Sequence, residues 1–262
     1  MLIRTLVVCA SFGSSWALAQ TPDAGMPAPA AATPSAGDAA AKLDALFTQR
    51  DDAAALKEAD KVISESLKAA PNDYALLWRA ARQRWWVADG AVEEKLKRQL
   101  GKEGWIYAER ALKAKPGAME GHYYMALSIG AYSQAVGILK ALSEGLESKF
   151  VDNLDAAIKA DEGFDRTGGR NAKGRYYWEL PWPKRDLAKS YVEFDAVLKR
   201  NPEHLRAQLY KAQSLLKDGK AQEAKVLVDK VLAGDCAYDP PECKRVKTWA
   251  KPVKEQIEEE LK

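Results

Sequence analysis

Residues 203–233 read EHLRAQLYKAQSLLKDGKAQEAKVLVDKVLA. Ala212, Gly219, Ala224, Val228 and Val231 fall where a helix-turn-helix repeat of about 34 residues needs small or aliphatic side chains. One such tetratricopeptide unit cannot bury its apolar face alone, so it must stack on others of its kind. The stretch therefore predicts an all-α repeat array.

Sibling units follow from the prolines that end second helices, since proline cannot continue the hydrogen-bond ladder. Before Pro202 stand Ser190, Phe194 and Leu198; before Pro116, Ala108, Ala111 and Leu112; before Pro71, Ala59, Ile63 and Leu67. A fourth stop falls near Asp161-Glu162-Gly163, after Leu154, Ala157 and Ile158. First helices are predicted at 40–50, 74–87, 119–132, 168–180 and 204–217. The long intervals around Pro116 predict insertions or lengthened helices in the middle units. From Pro241 onward, Val246, Trp249, Ala250, Val253, Ile257 and Leu261 recur at helical spacing, with Pro252 expected to bend the segment. The expected fold is thus five tetratricopeptide-like hairpins in a right-handed superhelix, closed by a C-terminal capping helix.

The chain opens with Arg4, an apolar run from Thr5 to Leu18 and Ala17-Leu18-Ala19 before Gln20, the pattern of a cleaved secretory signal. Residues 1–19 are read as that signal, 20–41 as a disordered Ala/Pro-rich linker and 42–262 as the repeat domain. The implied location is periplasmic or secreted. Cys9 follows too few residues for a lipoprotein signal, and no later run is long and apolar enough to span a bilayer. With 40 Lys and Arg against 37 Asp and Glu, charge directs the chain toward neither nucleic acid nor an acidic membrane. Cys236 and Cys243 bracket a Pro-rich turn in a chain expected to be exported, which predicts a local disulfide. A metal pair is the competing reading, with no further ligand close in sequence.

Counting from Ala81 as the small-residue position, Trp78, Arg82, Trp85 and Trp86 point into the concave face, as do Tyr123, Leu127, Asn171, Arg175, Trp178, Arg206 and Leu209 by the same count. Wide apolar faces beside Arg suit an extended peptide or an acidic group on an apolar ligand. The competing reading of each ring is packing, because aromatics dominate core energetics. Catalysis finds no motif: His122 and His204 are isolated at the starts of helices, and Gly168-Gly169 lacks the Lys-Ser/Thr of a phosphate loop. No cofactor and no metal site is expected.

Gly168-Gly169, Gly174-Arg175-Tyr176-Tyr177-Trp178-Glu179-Leu180-Pro181 and the following Asp186 resemble the Gly-Gly, Gly-x-Tyr-Tyr, Leu-Pro and Asp succession of the TatT-like proteins, periplasmic T-components of TRAP transport systems. The similarity runs through the C-terminal half. It implies a periplasmic helical-repeat protein associated with a substrate-binding protein and handling a hydrophobic ligand. Two roles are therefore expected. One is an adaptor for a protein partner of the cell envelope, such as a solute-binding protein. The other is a carrier of a small hydrophobic molecule in a cavity of the long middle hairpins around Met119 to Gly145.

Overall fold

The computed structural model describes residues 35–262, and every regular element among them is a helix. The expected signal and all but the end of the expected linker lie outside these residues. The hairpins are α1 (Ala36–Phe47) with α2 (Ala53–Ala69), α3 (Tyr74–Gly90) with α4 (Glu94–Ala114), and α5 (Met119–Val136) with α7 (Leu146–Ala160). They continue as α8 (Phe164–Glu179) with α9 (Leu187–Arg200) and α10 (Leu205–Lys217) with α11 (Ala221–Ala233). A short α6 (Ile138–Ser143) is the insertion in the middle unit, set off by Gly137 and Gly145 at φ of +90° and +70°. The final helix, α12 (Pro240–Glu260), covers α10 and α11 as the cap.

Local chemistry explains the boundaries. Asp52, Asp73, Asp186 and Asp239 each cap a helix by accepting a backbone N–H of its first turn, each worth about 1 kcal/mol. Pro71, Pro116 and Pro202 stand two residues beyond the ends of α2, α4 and α9. Ala108, Ala111, Phe194, Val228 and Val231, singled out by spacing, are fully buried. Gly101 lets α4 approach the backbone of α5 so closely that a Cβ would stand 2.8 Å from the Tyr132 nitrogen.

Two expectations, the start of the first helix and the burial of Leu261, need correction. The first helix starts at Ala36, because Ser35 caps it on the Asp38 N–H, so residues 36–41 are helix and not linker. The helix expected to open at Gly168 does take up right-handed geometry there; Phe164 leads into it through a left-handed turn of Asp165, Arg166 and Thr167 at φ of +49°, +55° and +69°. Leu261 is 42% exposed and lies just beyond α12, as the residue that caps its end. The capping helix is continuous from Pro240 to Glu260, with Pro252 inside it.

Stacking of the first helices is continuous from α1 to α3 to α5 and resumes from α8 to α10, whereas α5 packs chiefly on α4 and α7. The lengthened middle unit thus interrupts the backbone stacking between α5 and α8, which still meet through Tyr123 and Phe164. Residues from the end of the chain return to its beginning across this interval. Arg50, after α1, pairs with Asp239 before α12. Lys244 pairs with Asp51 at 3.1 Å, and Arg245 donates to the Trp86 carbonyl at 2.9 Å. Instead of leaving its inner wall fully open, the array curls until the start of the cap meets the first two hairpins.

Candidate functional site

The curl surrounds a cavity of about 210 Å³. One wall is aromatic, with Trp85 and Trp86 from α3 and Tyr123 and Tyr124 from α5. Another wall is a stripe of α8, where Gly168, Asn171, Ala172 and Arg175 recur at three- and four-residue spacing, with Asp165 brought in by the left-handed turn before it. Arg206 and Tyr210 of α10 and Tyr238, Asp239 and Glu242 from the start of the cap complete it.

Of the residues predicted for the concave face, Trp85, Trp86, Tyr123, Leu127, Asn171, Arg175 and Arg206 line this cavity together. Trp78, Arg82 and Trp178 do not. Trp78 stacks on the outer side of Tyr124 at 5.9 Å between ring centres. Arg82 turns toward α1, where Asp44 accepts from it at 2.8 Å and Phe47 lies beneath its guanidinium. Trp178 donates its indole N–H to the Gln213 carbonyl at 3.2 Å, with Arg175 over its ring. Leu209 is fully buried in the core of the last hairpin. Trp86, only 1% exposed, donates to the Arg50 carbonyl at 2.8 Å and lies between the guanidiniums of Arg50 and Arg245. It holds the closure as well as walling the cavity.

Charge inside the cavity is organised around Arg206. Burial opposes its charge, but Asp89 at 2.9 Å and a two-pronged contact with Glu242 outweigh that cost and hold the guanidinium protonated. Asp165 is exposed to solvent at the cavity, although protein atoms crowd its carboxyl. Burial pushes its carboxyl above the usual range, only partly offset by the Tyr123 hydroxyl, which donates to it at 2.5 Å. Its left-handed turn is held by Asn201, whose amide donates to the Arg166 carbonyl and the Thr167 hydroxyl. Three successive non-glycine residues in this region cost of order 1–3 kcal/mol each, a strain that clusters at functional sites.

His204 does cap its helix, as an isolated histidine there suggests: Nδ1 accepts from the Ala207 N–H at 3.3 Å. Burial, then the nearby charges of Arg166 and Arg206, push its pKa down to about 3. The other histidine, His122, pairs with Asn153 away from the cavity. Arg50, Asp89, Asp165, Arg166, Tyr238 and Glu242 were absent from the sequence-based set. They reach the site from helix ends and loops, where periodicity assigns no face. Cys236 and Cys243 form the expected disulfide and so tether the loop carrying Tyr238 and Asp239. Among the described residues no cluster of metal-ligating side chains occurs.

The family model for regulator of microtubule dynamics protein 1-3 matches residues 39–193, more than half of the chain. The chain belongs to this family. The match spans α1 to the middle of α9, so it takes in the N-terminal hairpins as well as the Gly168–Asp186 stretch. The crystal structure of TTC0263, a thermophilic TPR protein of Thermus thermophilus, superposes with a TM-score of 0.60 over 82% of this chain and 98% of that one. At 16% identity this likeness establishes the tetratricopeptide-like fold alone. No curated protein sequence matches the chain.

Proposed function

We propose that this chain is an exported, non-enzymatic binding protein that holds a small amphipathic molecule in the cavity between α3, α5, α8 and α10. The observation that carries the reading is the convergence of four aromatic rings, from two helices, on the same cavity as Arg206 and the strained Asp165 turn. A largely apolar, partly preformed cavity with a few convergent polar groups is the general form of a small-molecule site. The leader-like residues 1–19 support export, and the Gly-Arg-Tyr-Tyr-Trp-Glu-Leu-Pro resemblance to TatT-like proteins supports a periplasmic accessory role in solute transport. The family name describes microtubule regulation by the named proteins; the reading for this chain rests on the cavity. Native mass spectrometry of the purified full chain tests it, the expected result being a bound small molecule. Repeated recovery of empty protein, with no compound shifting its melting temperature, removes the proposal.

A second reading, docking of an envelope protein such as a solute-binding component, is favoured by Trp182. Its ring is 86% exposed between Pro181 and Pro183 on the α8–α9 turn. Large aromatics on preorganised turns suit interfaces. Capture of the same envelope partners by the parent and by Trp182→Ala counts against that surface.

A further inference from the structure

Most charges lining the cavity are committed to one another. Arg206 is held by Asp89 and Glu242, Arg50 by Asp239, Arg175 by Glu179 and Glu147 by Lys184. Among the groups left without such a partner, four stand out. Arg166 has no ion-pair partner among the described residues; its Nη1 is buried without a hydrogen bond, and its guanidinium lies 3.6 Å from the centre of the Tyr238 ring. His204, 7% exposed, accepts the Ala207 N–H on Nδ1, so its neutral ring carries the proton on Nε2. That N–H finds no acceptor among the described residues. Asn171, 6% exposed, has Oδ1 buried without a partner. Asp165 accepts from Tyr123 and meets no cation at ion-pair distance among the described residues.

Two of these groups donate and two accept. Arg166 and His204 present N–H groups, and Arg166 lies near enough to disfavour charge on the imidazole. Asp165, from the left-handed turn, and Asn171, from the stripe of α8, present oxygens on either side of Gly168, against which the Tyr123 hydroxyl packs. An occupant with only an anionic group leaves Asp165 uncompensated, and one with only a cationic group leaves Arg166 so. Burying either charge unpaired is costly, whereas one molecule with both ends satisfies all four groups. Size narrows the class further. The cavity of about 210 Å³ falls below the roughly 300–1,000 Å³ of pockets for drug-sized ligands.

The geometry points to a small zwitterion, an α-amino acid with an apolar or aromatic side chain, as the occupant. Its carboxylate meets Arg166 and the His204 Nε2–H, its ammonium meets Asp165 and Asn171, and its side chain lies against Trp85 and Tyr124. This assignment rests on the small-molecule reading of the cavity and adds the chemistry of the ligand.

Isothermal titration of the full chain with L-phenylalanine, 3-phenylpropanoate and phenethylamine separates the contributions of the two ends. The expected result is at least tenfold tighter binding of L-phenylalanine than of either singly charged analogue. Arg166→Gln and Asp165→Asn, with helical circular dichroism unchanged, each weaken L-phenylalanine at least tenfold. Asp165→Asn leaves 3-phenylpropanoate no weaker, and Arg166→Gln leaves phenethylamine no weaker. The analogue series on the unaltered protein decides the matter even where a variant does not fold. Equal or tighter binding of either analogue overturns the zwitterion. So does failure of L-phenylalanine, L-tryptophan and L-leucine to bind while mass spectrometry finds another molecule in the protein, a result that leaves the cavity's binding role standing. Empty protein that takes up none of these compounds removes both.

Discussion

Arg206 of α10 donates a 2.9 Å hydrogen bond to Asp89 near the end of α3, joining side chains 117 positions apart. The same guanidinium grips Glu242 of the cap, so one buried cation ties the second hairpin, the fifth and the last helix. Removing one partner from a buried ion network costs about 3–5 kcal/mol, because the remaining charge stays buried. Arg206→Met is expected to lower stability by that order in urea unfolding. Asp89 retains Arg245 at 3.3 Å, so Glu242 is the group left stranded, and adding Glu242→Leu should recover much of the loss.

Trp86 and Trp85 are neighbours in sequence with different tasks. The buried Trp86 ring is held by the Arg50 carbonyl and flanked by two guanidiniums. Trp86→Ala is expected to cost about 3–5 kcal/mol, the range for a buried aromatic. Trp85 is only partly buried and lines the cavity, so Trp85→Ala should cost less stability and lower ligand affinity more. Denaturant midpoints alongside titrations of one ligand check the contrast; equal effects on both quantities would contradict this division of labour.

Much of the fold was legible because its signals are local. Proline stops at Pro71, Pro116 and Pro202, buried alanines at helical spacing and the Cys236–Cys243 bridge each lie within one or two turns of what they determine. The site was legible only in part. Periodicity places Trp85, Tyr123 and Asn171 on inner faces, but a long side chain on such a face can still turn away. Arg82 does so because Asp44 of the preceding hairpin offers a better partner than the cavity. The closure through Arg50 and Asp239 joins residues 189 apart, and no repeat pattern carries such a contact. The Asp165–Thr167 turn gave no signal either, since none of its residues is the glycine that a left-handed backbone normally calls for.

That turn makes a prediction of its own. Burial raises the Asp165 carboxyl above its ordinary pKa of 3.8, so the folded chain keeps its proton to higher pH than the unfolded chain does. Stability is then lost as pH rises through the interval between the two values. Asparagine has no such titration, keeps an oxygen for the Tyr123 hydroxyl and tolerates the left-handed backbone better. Asp165→Asn should melt higher than the parent at pH 7, with the difference shrinking toward pH 4. A variant less stable at neutral pH would show that the ionised carboxylate is favoured in the fold.

The disulfide closes a short loop, with its cysteines seven positions apart. Cross-linking a loop of this size removes roughly 2–3 kcal/mol of unfolded-chain entropy. Cys236→Ser/Cys243→Ser should lose about that much stability. Because the loop carries Tyr238 and Asp239 to the cavity wall, ligand affinity should fall as well. Unchanged affinity in the serine variant would mean that the Arg50–Asp239 pair holds the wall unaided.

His204 should make the protein acid-sensitive in a definite window. Burial and the charges of Arg166 and Arg206 lower its pKa from 6.5 to about 3. Above pH 6.5 neither the folded nor the unfolded chain protonates it, and stability owes nothing to its titration. As pH falls below 6.5 the unfolded chain gains a proton that the folded chain refuses, and each pH unit costs up to about 1.4 kcal/mol. Between pH 6.5 and 4.5 the parent should therefore lose as much as roughly 2–3 kcal/mol through this one group. His204→Asn keeps a side-chain oxygen to accept the Ala207 N–H and removes the titration. Its unfolding free energy should fall less than the parent's over the same interval. Parallel curves for the two proteins would mean that the imidazole gains its proton in the folded state, and that water reaches it more freely than its burial implies.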